Sequence, residues 1–169
     1  MKFLVAVLST LFIPSVFGAE ISAPEKTVKE FYSLEIHGPF GSDGRTLGHV
    51  RHLMSKELDA LLTATDDYQD ACRKVVPPDT KPWTLDGDPW YYHSADGANE
   101  IEGTLLLQHS DSAARVAAKL SYDPKFKWTD TVTLVKSGDS WLIANIRFEQ
   151  GGSLIGSLRA YINYSCSGG

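Results

Sequence analysis

Apolar positions along the 169-residue chain keep a helical period in the first half, an alternating period in the second, and a helical period again near the end. Val28, Phe31 and Tyr32 recur at three- and four-residue spacing, which puts them on one face of a helix. Ser22-Ala-Pro-Glu25 precedes them with capping-box spacing and a proline in the first turn. The pattern predicts a helix from Ala23 to about His37, ending at Gly38-Pro39. Residues 38–44 read as a loop by composition. Leu47, Val50, Leu53 and Met54 then form the stripe of a short helix. Ser55 restarts the pattern as an N-cap, with Glu57 in the first turn. Leu58, Leu61, Leu62, Thr65, Cys72, Val75 and Val76 extend it into an amphipathic helix from about Lys56 to Val76, stopped by Pro77-Pro78.

Residues 77–99 have no period and many turn formers, among them Pro82, Asp86-Gly87, Pro89 and Asp96-Gly97. The alternating half follows. Ile101, Gly103, Leu105 and Leu107 are expected on one face of a first strand, and Val116, Ala118, Leu120 and Tyr122 on one face of a second. Asp123-Pro-Lys125 turns the chain. Trp128, Asp130, Val132 and Leu134 share a face of a third strand, and Ser137-Gly-Asp-Ser140 is a tight hairpin. Trp141 and Ile143 are out of phase with Ile146 and Phe148, which predicts a bulge near Ala144-Asn145. After Gly151-Gly152 the helical period returns at Leu154, Ile155, Leu158, Tyr161 and Ile162. Helices followed by an antiparallel meander define an α+β chain. The expected form is a cone: one curved antiparallel sheet of about four strands, covered on one side by the N-terminal helices, with a short C-terminal helix.

The first eighteen residues stand apart. Met1-Lys2 is charged, residues 3–17 are largely apolar, and Val16-Phe17-Gly18 offers a small residue before Ala19. This is the order of a secretory signal cleaved after Gly18, too short and too broken by Pro14 for a spanning helix. Residues 19–169 are then one domain, exported to the periplasm or beyond. Its 43% apolar and 22% charged content excludes a disordered or polytopic membrane chain. Lys+Arg 16 against Asp+Glu 21 gives −5, an average that suits neither nucleic acid nor anionic lipid as a bulk partner. In an oxidising compartment Cys72 and Cys166 read as a disulfide; the alternative is one buried thiol and one tail thiol.

Four segments carry a resemblance. They are Pro24-Glu-Lys-Thr-Val-Lys-Glu-Phe-Tyr32, Leu53-Met-Ser-Lys-Glu-Leu58, Gly87-Asp-Pro-Trp90 and Ser140-Trp-Leu-Ile-Ala-Asn-Ile146. In this order they resemble the bacterial envelope family catalogued as domain of unknown function 3828, of the nuclear-transport-factor-2-like superfamily. The resemblance implies a cone-shaped α+β domain and an envelope location. It leaves activity open, since that superfamily holds isomerases, dehydratases and plain binding modules. It also carries the option of a homodimer through the open sheet face. Some family members are lipoproteins, but no Cys stands near residue 18.

Superfamily enzymes use an inward carboxylate as base and Tyr or His as oxyanion donors. Asp130 is the candidate base, because it interrupts an otherwise apolar face, where burial would raise its pKa. The plainer reading is a rim residue, solvated or paired with a cation such as Arg115. Tyr32 is a candidate donor, or else a filler of the helix–sheet seam. His49-x-x-His52 lies off the apolar stripe and lacks a third ligand, so it reads as a solvated pair and no metal is expected. No nucleophile elbow and no phosphate-binding glycine loop occurs. No cofactor is called for. Trp83, Asp88, Trp90, Tyr91, Tyr92 and Asp96 mix aromatic and acidic side chains in one loop, which suits a partner-binding surface or a cap on the cone. Together these features point to a non-enzymatic module that binds a protein or small ligand in the periplasm. Its sharper form is an immunity protein that blocks a basic periplasmic effector. The alternative is a small isomerase- or dehydratase-type enzyme built on Asp130.

Overall fold

The computed structural model describes residues 21–38, 48–77 and 97–166. The expected signal segment and the aromatic loop with Trp83, Asp88, Trp90, Tyr91, Tyr92 and Asp96 lie outside the described residues. Helix α1 spans Ala23–His37. Its entry is fixed as the capping box predicts: one Glu25 carboxylate oxygen accepts from both the Ser22 backbone N–H, at 3.2 Å, and the Ser22 hydroxyl, at 2.7 Å. A short 3-10 helix covers Gly48–Leu53, and α2 covers Lys56–Val75. The Ser55 hydroxyl caps α2 by accepting from Leu58 N–H at 3.2 Å. Four strands follow, β1 Glu100–His109, β2 Ala113–Asp123, β3 Phe126–Ser137 and β4 Ser140–Arg147, and then α3 Leu154–Ile162.

The strands form one antiparallel sheet in the order β1-β2-β3-β4. Helix α1 packs on one face of the sheet and touches β1, β2 and β4. Val28, Phe31 and Tyr32 are fully buried there, in one core with Val116, Ala118, Leu120, Val132, Leu134, Ile143 and Ile146. Each large side chain so buried contributes about 1.5–3 kcal/mol. The fold is therefore α+β, with a four-stranded antiparallel sheet and a short C-terminal helix. The outer edge of β4 is covered: Ser55 N–H donates to Ile143 C=O at 2.7 Å, and Ser153 bridges to Arg147. Among the described residues the other edge, β1, pairs with nothing beyond β2.

Bulges set which side chains face the core. Ala144 is the extra residue of β4, between the Ile143–Leu134 and Asn145–Thr133 pairs, where the phase change predicts it. The expectation for β1 needs correction. Register shifts at Glu102 and Leu107 break its alternation. Ile101 and Leu106 therefore pack on the core, while Leu105 and Leu107 are 54% and 50% exposed. A bulge sets two residues against one on the partner strand, so a period-two reading fails beyond it. Tyr122 falls in a third register shift and is likewise exposed rather than inward.

Two devices tie α2 to the rest. Cys72, buried on α2, forms a disulfide with Cys166 beyond α3, with Cα atoms 5.1 Å apart. Arg51 of the 3-10 helix is 8% exposed and reaches a stripe of α2. One guanidinium nitrogen donates to Asp59 at 3.1 Å and Thr63 at 2.9 Å, and the other to Asp66 at 2.5 Å. Residues 59, 63 and 66 share a helix face by their spacing.

Two stability outcomes follow from these ties. Closing 94 residues, the disulfide is worth up to about 4–5 kcal/mol. The unfolding midpoint in urea should drop accordingly for the Cys72→Ser/Cys166→Ser double variant, and thiol titration of the unreduced, denatured chain should find no free thiol. Arg51→Met should cost about 2–4 kcal/mol by the same measurement, because it removes a buried guanidinium bonded to Asp59, Thr63 and Asp66. Equal midpoints for Arg51→Met and the parent would show that the guanidinium network is ornamental.

Candidate functional site

Asp130 lies on the inner face of β3, two residues from Trp128 and two from Val132, as the alternation places it. It is 1% exposed. Each of its carboxylate oxygens accepts a hydrogen bond from the frame. One oxygen accepts from the Trp128 indole N–H at 3.2 Å, and the other from the Glu149 backbone N–H at 3.0 Å. Glu149 answers in kind: its carboxylate accepts from the Thr129 backbone N–H at 3.1 Å. β4 ends at Arg147, which pairs with Thr131, so Thr129 extends past the end of its neighbour. The Glu149 side chain takes the place of the missing strand. Asp130 and Glu149 together close the corner where the chain leaves the sheet for α3. Gly151 and Gly152, with φ of 107° and 77°, make that exit.

Burial pushes the Asp130 carboxyl up to about 6. The Glu149 N–H and the Trp128 indole oppose the rise, and the nearby Glu149 charge adds to it. Among the described residues no Tyr hydroxyl or His imidazole is a hydrogen-bond partner of Asp130, and Arg115 faces the other side of the sheet, opposite Thr133. Tyr32 is fully buried in the helix–sheet core, edge-on to Phe31 at 4.8 Å between ring centroids.

Outside this corner, Glu102, Lys119, Leu120, Lys127, Trp128, Thr129 and Glu149 line an open cleft of about 200 Å3. Asp130 is not among its walls. Lys127 holds Glu102 at 2.5 Å, and this bond chiefly keeps the Glu102 carboxyl below its ordinary value, with Ser121 and Lys119 adding to the effect. Trp128 and the exposed Phe126 lie 5.6 Å apart at the hairpin end. What the cleft offers is an aromatic wall beside mixed charges.

The two histidines at 49 and 52 depart from the solvated pair expected of them. A 3-10 helix brings residues three apart onto one face, and this face meets α1. His49 stands 2.9 Å from the buried Glu35 carboxylate, and the exposed His52 stands 3.9 Å from Glu30. The apolar stripe at Val50, Leu53 and Met54 hid this, because it shows where the pair does not point and not what it meets. Among the described residues no group of three or more His, Cys, Asp or Glu could hold a metal ion. The Arg51 network and the Glu149 corner were missed altogether; the acids Asp59 and Asp66 at seven-residue spacing are the one sequence signal that could have found the first.

No family model, curated protein or solved structure matches the chain.

The raised Asp130 carboxyl gives a signed pH effect. A carboxyl raised in the folded state favours folding in its neutral form. That contribution is complete below about pH 4 and is lost as pH rises through about 6. Asp130→Asn keeps an acceptor for Glu149 and cannot ionise. Relative to the parent, its unfolding free energy should therefore rise between pH 4 and 7, by about 3 kcal/mol at most. A pH-independent difference in urea titrations would mean that the Asp130 carboxylate is solvated.

Proposed function

We propose that the chain is an exported, disulfide-braced binding module rather than an enzyme. The observation that carries this reading is the Asp130 corner. The one carboxylate that the sequence offers as a general base spends both oxygens on Trp128 and Glu149, and it is absent from the walls of the cleft beside it. A general base must reach the proton it removes. The Cys72–Cys166 bond supports an oxidising compartment. No helix among the described residues is long and apolar enough to cross a membrane. The apolar start, with its small-residue exit, supports secretion to the periplasm. The partner surface in this reading is the acidic and aromatic loop, Trp83, Asp88, Trp90, Tyr91, Tyr92 and Asp96, which joins the sheet through Gly97. A basic protein effector, blocked by an immunity-type module, has the charge that such a loop would attract. The likeness to nuclear-transport-factor-2-like envelope domains agrees with this, and a homodimer remains a proposal of that likeness. The second reading, an isomerase- or dehydratase-type enzyme, draws on the raised Asp130 carboxyl, which has no Tyr or His donor beside it among the described residues.

Capture of periplasmic proteins on the immobilised chain, read by mass spectrometry, tests the first reading. Trp90→Ala should reduce recovery of a specific partner at least about tenfold, a hot-spot loss of about 1.4 kcal/mol or more. Its urea midpoint should match the parent. A lowered midpoint would instead assign the loop to the core, and turnover of a carbonyl substrate that is lost in Asp130→Asn would overturn the binding reading.

A further inference from the structure

The outer face of the sheet, away from α1, has a charge pattern that the chain's composition does not suggest. Strand register places Lys119 between Gly103 and Thr129, and Arg115 between Gln108 and Thr133. Ala117 lies between Leu105 and Thr131, and Arg147 lies opposite Thr131. Alternation turns this set away from the core, and Arg115, Lys119 and Arg147 are all exposed. None of the three forms a salt bridge among the described residues. The acids on this side, Glu100, Glu102 and Glu149, gather at the end where Lys127 stands; Lys127 holds Glu102, and Lys119 lies close enough to lower the Glu102 carboxyl a little further. Two half-exposed leucines border the cations on the free edge. Leu105 shares a row with Ala117, Thr131 and Arg147. Leu107 is the extra residue of its bulge, so it and Gln108 together oppose Arg115.

We infer that this face docks on an anionic lipid surface, with Arg115, Lys119 and Arg147 on headgroups and Leu105 and Leu107 at the acyl boundary. Spacing supports it. Arg115 and Lys119 lie four residues apart on β2, about 13 Å, and Arg147 lies two strands over, about 10 Å. That triangle is too wide for one small anion and suits separate headgroups on a flat surface. The distribution of apolar groups selects among macromolecular partners. A protein interface buries an apolar centre inside a polar rim. Here the order is reversed: the centre is Ala117 and Thr131, and the leucines stand on the rim. A second copy docked by the same face would set the same three cations against each other across the two-fold axis. Single-stranded nucleic acid wants aromatic platforms between its cations, and this centre has none. The acids elsewhere on the chain do not cancel the attraction, because charges act over only about 8 Å at physiological salt.

Binding of this kind is weak, reversible and salt-sensitive. Each cation near an anionic surface changes the partition about fivefold. The test uses the protein recovered after export. It is sedimented with vesicles of mixed phosphatidylglycerol and phosphatidylcholine, and with vesicles of phosphatidylcholine alone. The protein should follow the anionic vesicles, leave them as salt rises, and ignore the neutral ones. Arg115→Glu/Lys119→Glu/Arg147→Glu should lower the partition about 100-fold or more, while Lys74→Glu on α2 leaves it unchanged. Leu105→Gln/Leu107→Gln should lower it several-fold with the salt dependence kept. All these positions are exposed, so thermal unfolding curves should coincide with the parent's. Absence of binding at low salt, or binding that survives the triple reversal, would overturn the inference. Equal affinity for a soluble oligouronate, with no loss in the leucine variant, would overturn it in favour of a polyanion. A dimer in sedimentation velocity that the triple reversal dissolves would make the face a self-interface and overturn it as well. None of these outcomes bears on the partner loop, whose test stands apart.

Discussion

A four-stranded antiparallel sheet has two faces, and among the described residues α1 covers one. Burial of the inner face under α1 is the constraint on which the rest depends. Val28, Phe31 and Tyr32 give α1 a continuous apolar stripe, and Val116, Leu120, Val132, Leu134, Ile143 and Ile146 give the sheet its match. Once that interface forms, alternation decides the outer face by default: what is not needed inside stands outside. The outer positions of β2 and β3 are accordingly Arg115, Ala117, Lys119, Thr129, Thr131 and Thr133. The same constraint explains the bracing. With α1 on that face, α2 is left to pack on α3 and β4 at the margin. A marginal helix gains less from burial, and here it is tied by the Cys72–Cys166 bond and by Arg51 instead.

The sequence was legible where one local period decides the structure. The ends of α1, the N-cap of α2, the Gly138-Asp139 hairpin and the bulge at Ala144 are all written in spacing or turn chemistry, and the structure agrees with each. It was not legible where a single extra residue resets the phase. β1 reads as a regular strand because Leu105, Leu106 and Leu107 are three leucines in a row, and such a run fits either face. Only pairing with β2 shows which leucine goes inside. Long-range polar partners were equally hidden. Nothing local to Arg51 announces Asp66, and nothing local to Asp130 announces the Glu149 backbone, nineteen residues away.

Asp130 shows how one correct local reading leads to two functions. Its alternation, its burial and the upward push on its carboxyl are what an inward general base would show. They are also what a structural carboxylate shows when it ties a strand to the segment that leaves the sheet. Its two described partners, a backbone N–H and an indole, fit the second account. Desolvating it costs free energy, which its hydrogen bonds offset in part. What the arrangement gains is a fixed corner: Glu149 is held by Asp130 and in turn holds the Thr129 N–H that β4 leaves unpaired.

Net charge is a poor guide to partners once a fold sorts its charges. The average of −5 argues against any anionic partner for a sphere of uniform surface. Five acids stand on α2, Glu57, Asp59, Asp66, Asp67 and Asp70, and two of them neutralise Arg51. The sheet meanwhile carries three exposed cations, Arg115, Lys119 and Arg147, that form no salt bridge among the described residues. Screening over about 8 Å at physiological salt then lets surface charges that stand apart act largely by themselves. Composition thus describes how the molecule behaves far from a surface, and strand register describes how it behaves within a few ångströms of one.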